Sequence, residues 1–292
     1  MADDPVFEVK EDVIYGRKWG TALTMDVFAP QEKKNGRGVI LVLSGGWFSA
    51  KGVLGMPFMR EMLNRGYTVF AVTHGSQPKY TIPEAVEDMH RSVRFIRYRA
   101  ADYQIDPLKI GVYGGSAGGH LSLMLGLAGK DGDANAKDPI DRLDSQVQAV
   151  ACFYPPTDFM NFGEPGHVVV GKGVLPGFKA PFDFKELDPK SNAFVPVTDE
   201  QKLLEIGRDI SPAAHINTGD AATLIIHGDA DTLVPLQQSE LLIGKLKETG
   251  IPNELIVRKG AGHGWKNLDK DISIFADWFD RYLFDGDSKS TP

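Results

Sequence analysis

Six short apolar runs recur along the chain at spacings that leave room for a helix between most of them. They are residues 38–43, 67–72, 110–113, 147–153, 222–226 and 254–257. Each is rich in Val, Ile, Leu or Ala with little internal alternation, the pattern of strands buried on both faces. Between them lie helical patterns. Pro83 opens one that carries Val86, Met89, Val93, Ile96 and Ala100 on a single stripe. A second is expected over about 56–65, ending at Gly66. A third covers 236–250, with Leu241, Leu242 and Leu246 inward and Gly250 past its end, and a fourth covers 268–284. Strands alternating with helices in this way specify an α/β fold, with a mainly parallel central sheet covered on both faces. Residues 6–14 and 20–29 instead alternate apolar with polar and read as an N-terminal antiparallel strand pair ending at Pro30.

The turns after three of these runs carry reactive side chains. Gly114-Gly115-Ser116-Ala117-Gly118-Gly119 lies between the run at 110–113 and an apolar-periodic segment starting at His120. Strand, sharp turn and helix is the setting of a nucleophile elbow, in which the serine hydroxyl stands clear of the sheet. Taken alone, the motif is equally a flexible loop or a phosphate-binding turn. Two residues further along the chain give it weight: Asp231 in the loop after the run at 222–226, and His263 in the loop after the run at 254–257. Histidine can take the serine proton and return it to a leaving group, and a carboxylate fixes the imidazole tautomer. Asp231 is the preferred acid because it lies further into its loop. Asp229, which can cap the turn with its own side chain, stays open as the alternative. Gly262 and Gly264 flank His263 and permit close approach to Ser116.

Such chemistry also needs donors for a developing oxyanion. The N–H of Ala117 is one candidate. The loop Ser44-Gly45-Gly46-Trp47-Phe48-Ser49, after the first run, offers the N–H groups of Gly46 and Trp47. The rings of Trp47 and Phe48 are then expected as substrate-binding walls at the mouth of the site. Four other histidines read as structural: His90 on a helix, His215 in a loop, His227 packed at a strand end, His120 behind the elbow. Neither an H-E-x-x-H pattern nor a cysteine cluster occurs, so no metal and no cofactor is expected.

Residues 157–212 break the strand–helix rhythm. They are rich in Gly, Pro and Phe, with one short helical patch near 199–206. The expectation is one domain over residues 1–292, with 157–212 a small cap or lid insertion over the site. Phe159, Phe162, Phe178, Phe182 and Phe184 either line its pocket or pack the insertion down; the sequence leaves both open.

Net charge of −7 argues against nucleic acid and anionic membrane surfaces as partners. No run approaches the roughly 20 apolar residues of a membrane span. The single cysteine, Cys152, sits in an apolar run and is expected to be buried. Met1 to Asp4 is acidic and unlike a signal peptide, and a disordered tail is expected over Asp287 to Pro292. A cytoplasmic or secreted location is left open, and a homo-oligomer is compatible with the sequence.

Gly114–His120, His227–Pro235 and Gly260–Trp265 together resemble the α/β-hydrolase carboxylesterases. The likeness is to the branch that holds hormone-sensitive-lipase-like esterases, kynurenine formamidases, and acetylxylan and feruloyl esterases. It spans about residues 10–285 and includes the segment Tyr15 to Pro30. The resemblance implies an α/β-hydrolase fold and a serine hydrolase that cleaves carboxylic esters of a small molecule or saccharide through an acyl-enzyme. An amide hydrolase (formamidase or peptidase) and a non-catalytic small-ligand receptor are the rival readings. Two departures stand out. Ser44 occupies the position of the histidine that usually opens the family's oxyanion loop. Thr73-His74-Gly75-Ser76-Gln77-Pro78 stands where lipase-like relatives carry a Tyr-Arg motif.

Overall fold

A computed structural model describes residues 5–171 and 177–284. The expected features of Met1–Asp4 and of the tail at 287–292 lie outside the described residues. Ten strands occur among the described residues: β1 (Phe7–Lys18), β2 (Thr21–Pro30), β3 (Gly38–Val42), β4 (Thr68–Val72), β5 (Ile110–Gly115), β6 (Ala149–Phe153), β7 (Lys185–Asp188), β8 (Ala193–Pro196), β9 (Ala222–Gly228) and β10 (Asn253–Arg258). The helices are α1 (Arg60–Asn64), α2 (Ile82–Tyr98), α3 (Ala100–Tyr103), α4 (Ala117–Leu127), α5 (Glu200–Asp209), α6 (Gln237–Thr249) and α7 (Ile272–Phe284).

Eight strands form one sheet in the order β1-β2-β4-β3-β5-β6-β9-β10. The pairs β1–β2 and β2–β4 are antiparallel, and every other pair is parallel. The apolar runs are therefore the parallel core, and the alternating N-terminal pair forms its antiparallel edge. Side chains of β3 show why those runs lack alternation. Ile40 and Val42 join the core on one face with α2, α4 and α6, whereas Val39 and Leu41 join the opposite core with α1 and α7. Helix α2 begins at a capping box, in which the Thr81 N–H donates to Glu84 Oε2 at 2.8 Å. Cys152 on β6 is fully buried, its thiol facing the Leu224 carbonyl at 3.8 Å.

Three segments differ from expectation. The region over 56–65 is a 3-10 turn (Met56–Phe58) followed by the short α1, and 268–271 is likewise a 3-10 turn ahead of α7. Pro57 and the crowding of a connection between buried strands favour the tighter turn. Within 157–212 the chain forms α5 and, unforeseen, the antiparallel hairpin β7–β8. The hairpin is mostly exposed, and its Phe194 ring meets the exposed Trp19 ring edge-on at 5.5 Å.

Candidate active site

Strand β5 delivers Ser116 directly into α4. Ser116 has φ 53° and ψ −121°, a conformation that L-residues other than glycine rarely adopt. The turn is held by its neighbours: the Ser116 N–H donates to the Phe153 carbonyl, and the Ser116 carbonyl accepts from His120 N–H, both at 2.9 Å. Only glycine fits at position 114, because a β-carbon there would lie 2.7 Å from the Gly118 backbone.

The loop after β9 carries Asp231 and the loop after β10 carries His263. They are tied together before any side chain acts. Ala230 N–H donates to the Ala261 carbonyl at 2.9 Å, and Gly260 N–H donates to Asp229 Oδ1 at 2.6 Å. A β-carbon on Gly228 would come within 2.2 Å of the Ala261 oxygen, so the loops can approach this closely only over a glycine. Asp229, the alternative acid, is exposed and spends its carboxylate on the Gly260 N–H.

Ser116, His263 and Asp231 come together at the C-terminal edge of the sheet. His263 Nδ1–H donates to Asp231 Oδ2 at 2.7 Å, and Ser116 Oγ lies 2.9 Å from His263 Nε2. With Nδ1 carrying the proton, Nε2 is the acceptor of the serine hydroxyl. The Asp231 carboxylate is inaccessible, yet its other oxygen accepts from Leu233 N–H at 2.9 Å and Val234 N–H at 3.0 Å. Burial opposes its charge, but the hydrogen bonds from His227, His263 and those two N–H groups prevail, holding it well below the usual carboxylate range.

For three residues around this cluster the sequence reading missed the role. His227 Nε2 faces both the Val234 carbonyl at 2.9 Å and Asp231 Oδ2 at 3.3 Å, so that nitrogen bears the proton and Nδ1 accepts from the Ser239 hydroxyl at 2.7 Å. Packed as expected, His227 is also a second donor to the acid. Tyr154 places its ring 4.3 Å from the His263 ring, and burial followed by the nearby Asp231 charge raises its phenol to about 12, keeping it neutral. Its position directly after β6 was the available signal. The third is His74. Its Nδ1–H donates to the Gly75 carbonyl and its Nε2 accepts from Ser44 Oγ–H, both at 2.9 Å. The imidazole that Ser44 lacks thus arrives from the neighbouring strand end, and burial lowers it to about 4. The two departures in the sequence meet each other.

Beside Ser116 opens a cavity of about 380 Å3 whose walls include Gly45, Gly46, Leu54, Phe58, Tyr154 and Phe178. Trp47 and Phe48 are not part of its lining, which corrects the expectation of aromatic walls there. Trp47 turns inward because a buried indole N–H needs an acceptor. It donates to His120 Nδ1 at 3.2 Å, while His120 Nε2–H donates to the Ile210 carbonyl at 2.7 Å. The indole then packs against Phe159, Phe178 and Phe182. Phe48 is half exposed, and its backbone pairs with Gly45. Of the five phenylalanines at issue, Phe178 lines the cavity; Phe159, Phe162, Phe182 and Phe184 are buried in the core. Among the described residues, the N–H groups of Gly46, Trp47 and Ala117 donate to no protein acceptor. Also among the described residues, no helix is long and apolar enough to cross a membrane, and no cluster of three metal-ligating side chains occurs.

The fold has counterparts. A truncated carbohydrate esterase from gut microbiota superposes with a TM-score of 0.73 at 24% identity, over 97% of this chain and 98% of that one. An acetyl ester-xyloside bifunctional hydrolase from Caldicellulosiruptor lactoaceticus gives 0.75 at 22% identity, over 94% and 97%. By sequence, the chain is 25% identical to the probable carboxylic ester hydrolase LipM of Mycobacterium tuberculosis over 81% of its own length and 51% of LipM. It is 27% identical to esterase LipQ of the same organism, over 82% and 53%. The chain therefore spans about half the length of these relatives. The BD-FAE family profile matches residues 25–246, most of the chain. With the sheet order and its neighbours, this makes the protein an α/β-hydrolase-fold member of the BD-FAE family.

Proposed function

We propose that the chain is a serine carboxylesterase working through an acyl-enzyme. The observation that carries this reading is the continuous relay from Ser116 Oγ through the His263 ring to the buried Asp231 carboxylate. His263 Nε2 takes the serine proton as Oγ attacks the ester carbonyl carbon. The carbonyl oxygen, now an oxyanion, is received by the N–H groups of Ala117, Gly46 and Trp47. Protonated His263 then gives its proton to the departing alkoxide, leaving the acyl group on Ser116. A water activated by the same imidazole attacks the acyl-enzyme and releases the acid. Asp231, held ionised, keeps the ring in the tautomer that accepts at Nε2 and stabilises the imidazolium.

The substrate side is set by the cavity. At about 380 Å3 with largely apolar walls, it suits a short acyl group. Residues 157–212 act as a cap in this reading, since Phe178, which they contribute, forms part of the wall. The names of two structural neighbours, a carbohydrate esterase and an acetyl ester-xyloside hydrolase, support acetylated saccharides as the substrate class.

The test is turnover of p-nitrophenyl acetate and acetylated or feruloylated xylan beside N-formylkynurenine and proline-containing peptides. Ester hydrolysis is expected, with Ser116→Ala losing at least ~1,000-fold in kcat and all labelling by a fluorophosphonate. A Ser116→Ala protein that kept most of its rate would refute the assignment.

A further inference from the structure

The strongest unexplained feature beside the site is the backbone of the loop after β3. Gly46 and Trp47 are consecutive residues in the left-handed region, at φ 55° and 60°. For glycine this is free; for tryptophan it costs on the order of 1 kcal/mol, so something must hold it. The reciprocal Gly45–Phe48 backbone hydrogen bonds, both 2.9 Å, close the turn, and Gln77 holds its two central carbonyls from outside. Its side-chain Nε2–H donates to the Gly46 carbonyl at 2.8 Å, and its own backbone N–H donates to the next carbonyl, that of Trp47, at 3.2 Å. One residue thereby fixes two successive peptide planes.

Gln77 is itself tethered to the loop. Ser76 Oγ accepts from Ser49 N–H and donates to the Gln77 carbonyl, both at 3.0 Å, and Ser49 Oγ accepts from His74 N–H at 3.1 Å. From below, Asp88 accepts from Gly75 N–H at 2.7 Å and from Lys18 Nζ at 2.6 Å. The segment 74–77 is a brace pressed against the loop 44–49.

We propose that Gln77 is a positioning residue, which holds the Gly46–Trp47 peptide with its N–H turned toward Ser116. The inference rests on the esterase reading above. A trans peptide is planar, so the Trp47 N–H points opposite to the Gly46 carbonyl. The carbonyl is drawn to Gln77, which does not line the cavity, so the N–H points away from Gln77, and Gly46 itself is part of the cavity wall. Without the Gln77 amide, the peptide is free to turn over. Glycine at 46 makes the rotation cheap, and relief of the strain at Trp47 favours it. The indole, anchored on His120, would not have to move. The flip removes a donor from the oxyanion and presents a carbonyl oxygen in its place. Gln77 never touches substrate, and the effect appears in the transition state rather than in binding.

Gln77→Met, which keeps the shape but not the donor, is expected to lower kcat on p-nitrophenyl acetate by ~10- to 100-fold, short of the ~100- to 1,000-fold seen when a donor is deleted outright. KM should stay within about threefold. The inhibition constant of phenylboronic acid, which forms a tetrahedral adduct on the serine, should weaken in parallel with kcat. Gln77→Glu, which sets a carboxylate against the Gly46 carbonyl, should lose at least as much, and it carries the test where the methionine variant does not fold. Variants with kcat within about twofold of the parent, or a loss borne by KM alone with boronate affinity intact, overturn the proposal. A parent protein that hydrolyses no ester overturns the esterase reading and this inference with it. Active parent and unimpaired variants sink this inference alone.

Discussion

Two carboxylates two residues apart, Asp229 and Asp231, divide their work by environment. Asp231 is buried, ionised and aimed at His263 Nδ1, whereas Asp229 is exposed and bonded to the Gly260 N–H. Asp231→Asn should therefore cost kcat ~10,000-fold, because an amide presents the wrong partner to Nδ1–H and permits the unproductive tautomer. Asp229→Asn should cost less than ~10-fold, as its loop retains the Ala230–Ala261 hydrogen bond. Parallel kinetics on the two variants check the division; equal losses would reverse it. At this scale, Ser116, Asp231 and His263 are legible in sequence because each lies in a turn after a strand-like run, Ser116 and His263 among glycines and Asp231 three residues after Gly228. His74 and Gln77 are not. Their significance depends on β4 lying beside β3, a pairing that brings residues 74–77 against 44–49 and that no local pattern announces. Trp47 is misjudged for a related reason. An aromatic residue in a site loop suggests a wall, but its N–H found a buried acceptor only once α4 had placed His120 beneath it.

Among elements, the site depends on how closely two loops approach. The contact between the turn after β9 and the turn after β10 is possible because Gly228 has no side chain, and it sets the separation of Asp231 from His263. Gly228→Ala drives a methyl to within 2.2 Å of a backbone oxygen that cannot rotate away. The loops must part. We expect a loss of stability of roughly 1–3 kcal/mol and a fall of at least ~100-fold in kcat/KM, since misplacement by about 1 Å suffices for that. Denaturant titration together with steady-state kinetics tests both, and an unchanged kcat/KM would show that the loops need no such closeness. The elements themselves are readable because their burial is two-sided: β3, β4, β5, β6 and β9 lie within runs with few polar interruptions, and such runs in alternation with amphipathic helices admit few folds. The hairpin β7–β8 is not readable, being short and largely exposed with no core face to impose a period of two.

For the whole molecule, acid sensitivity is built into buried imidazoles. Burial lowers His74 and His120 to about 4 and His90 to about 3. Each is neutral in the folded chain but takes a proton near the ordinary 6.5 once unfolded. A depressed folded value means that the stability is present above 6.5 and is lost as pH falls toward 4. With three such groups the slope reaches at most about 4 kcal/mol per pH unit, near pH 5, and is smaller at either end of that window. Denaturant midpoints at pH 7, 6 and 5 should drop progressively, and His90→Leu, at a residue outside the lining of the Ser116 cavity whose Nε2 has no hydrogen-bond partner among the described residues, should flatten the slope by about a third. A midpoint independent of pH between 7 and 5 would contradict this.

Cys152, fully buried on β6, has a further use. The chain has one cysteine, and burial raises its thiol far above the range in which it reacts. A maleimide therefore finds no target on the native protein. Leu187→Cys, at a position half open to solvent on β7, would supply a single handle for a dye or spin probe with no background to remove. The surroundings of the β7–β8 hairpin could then be followed, with and without added ester, in an otherwise unaltered chain.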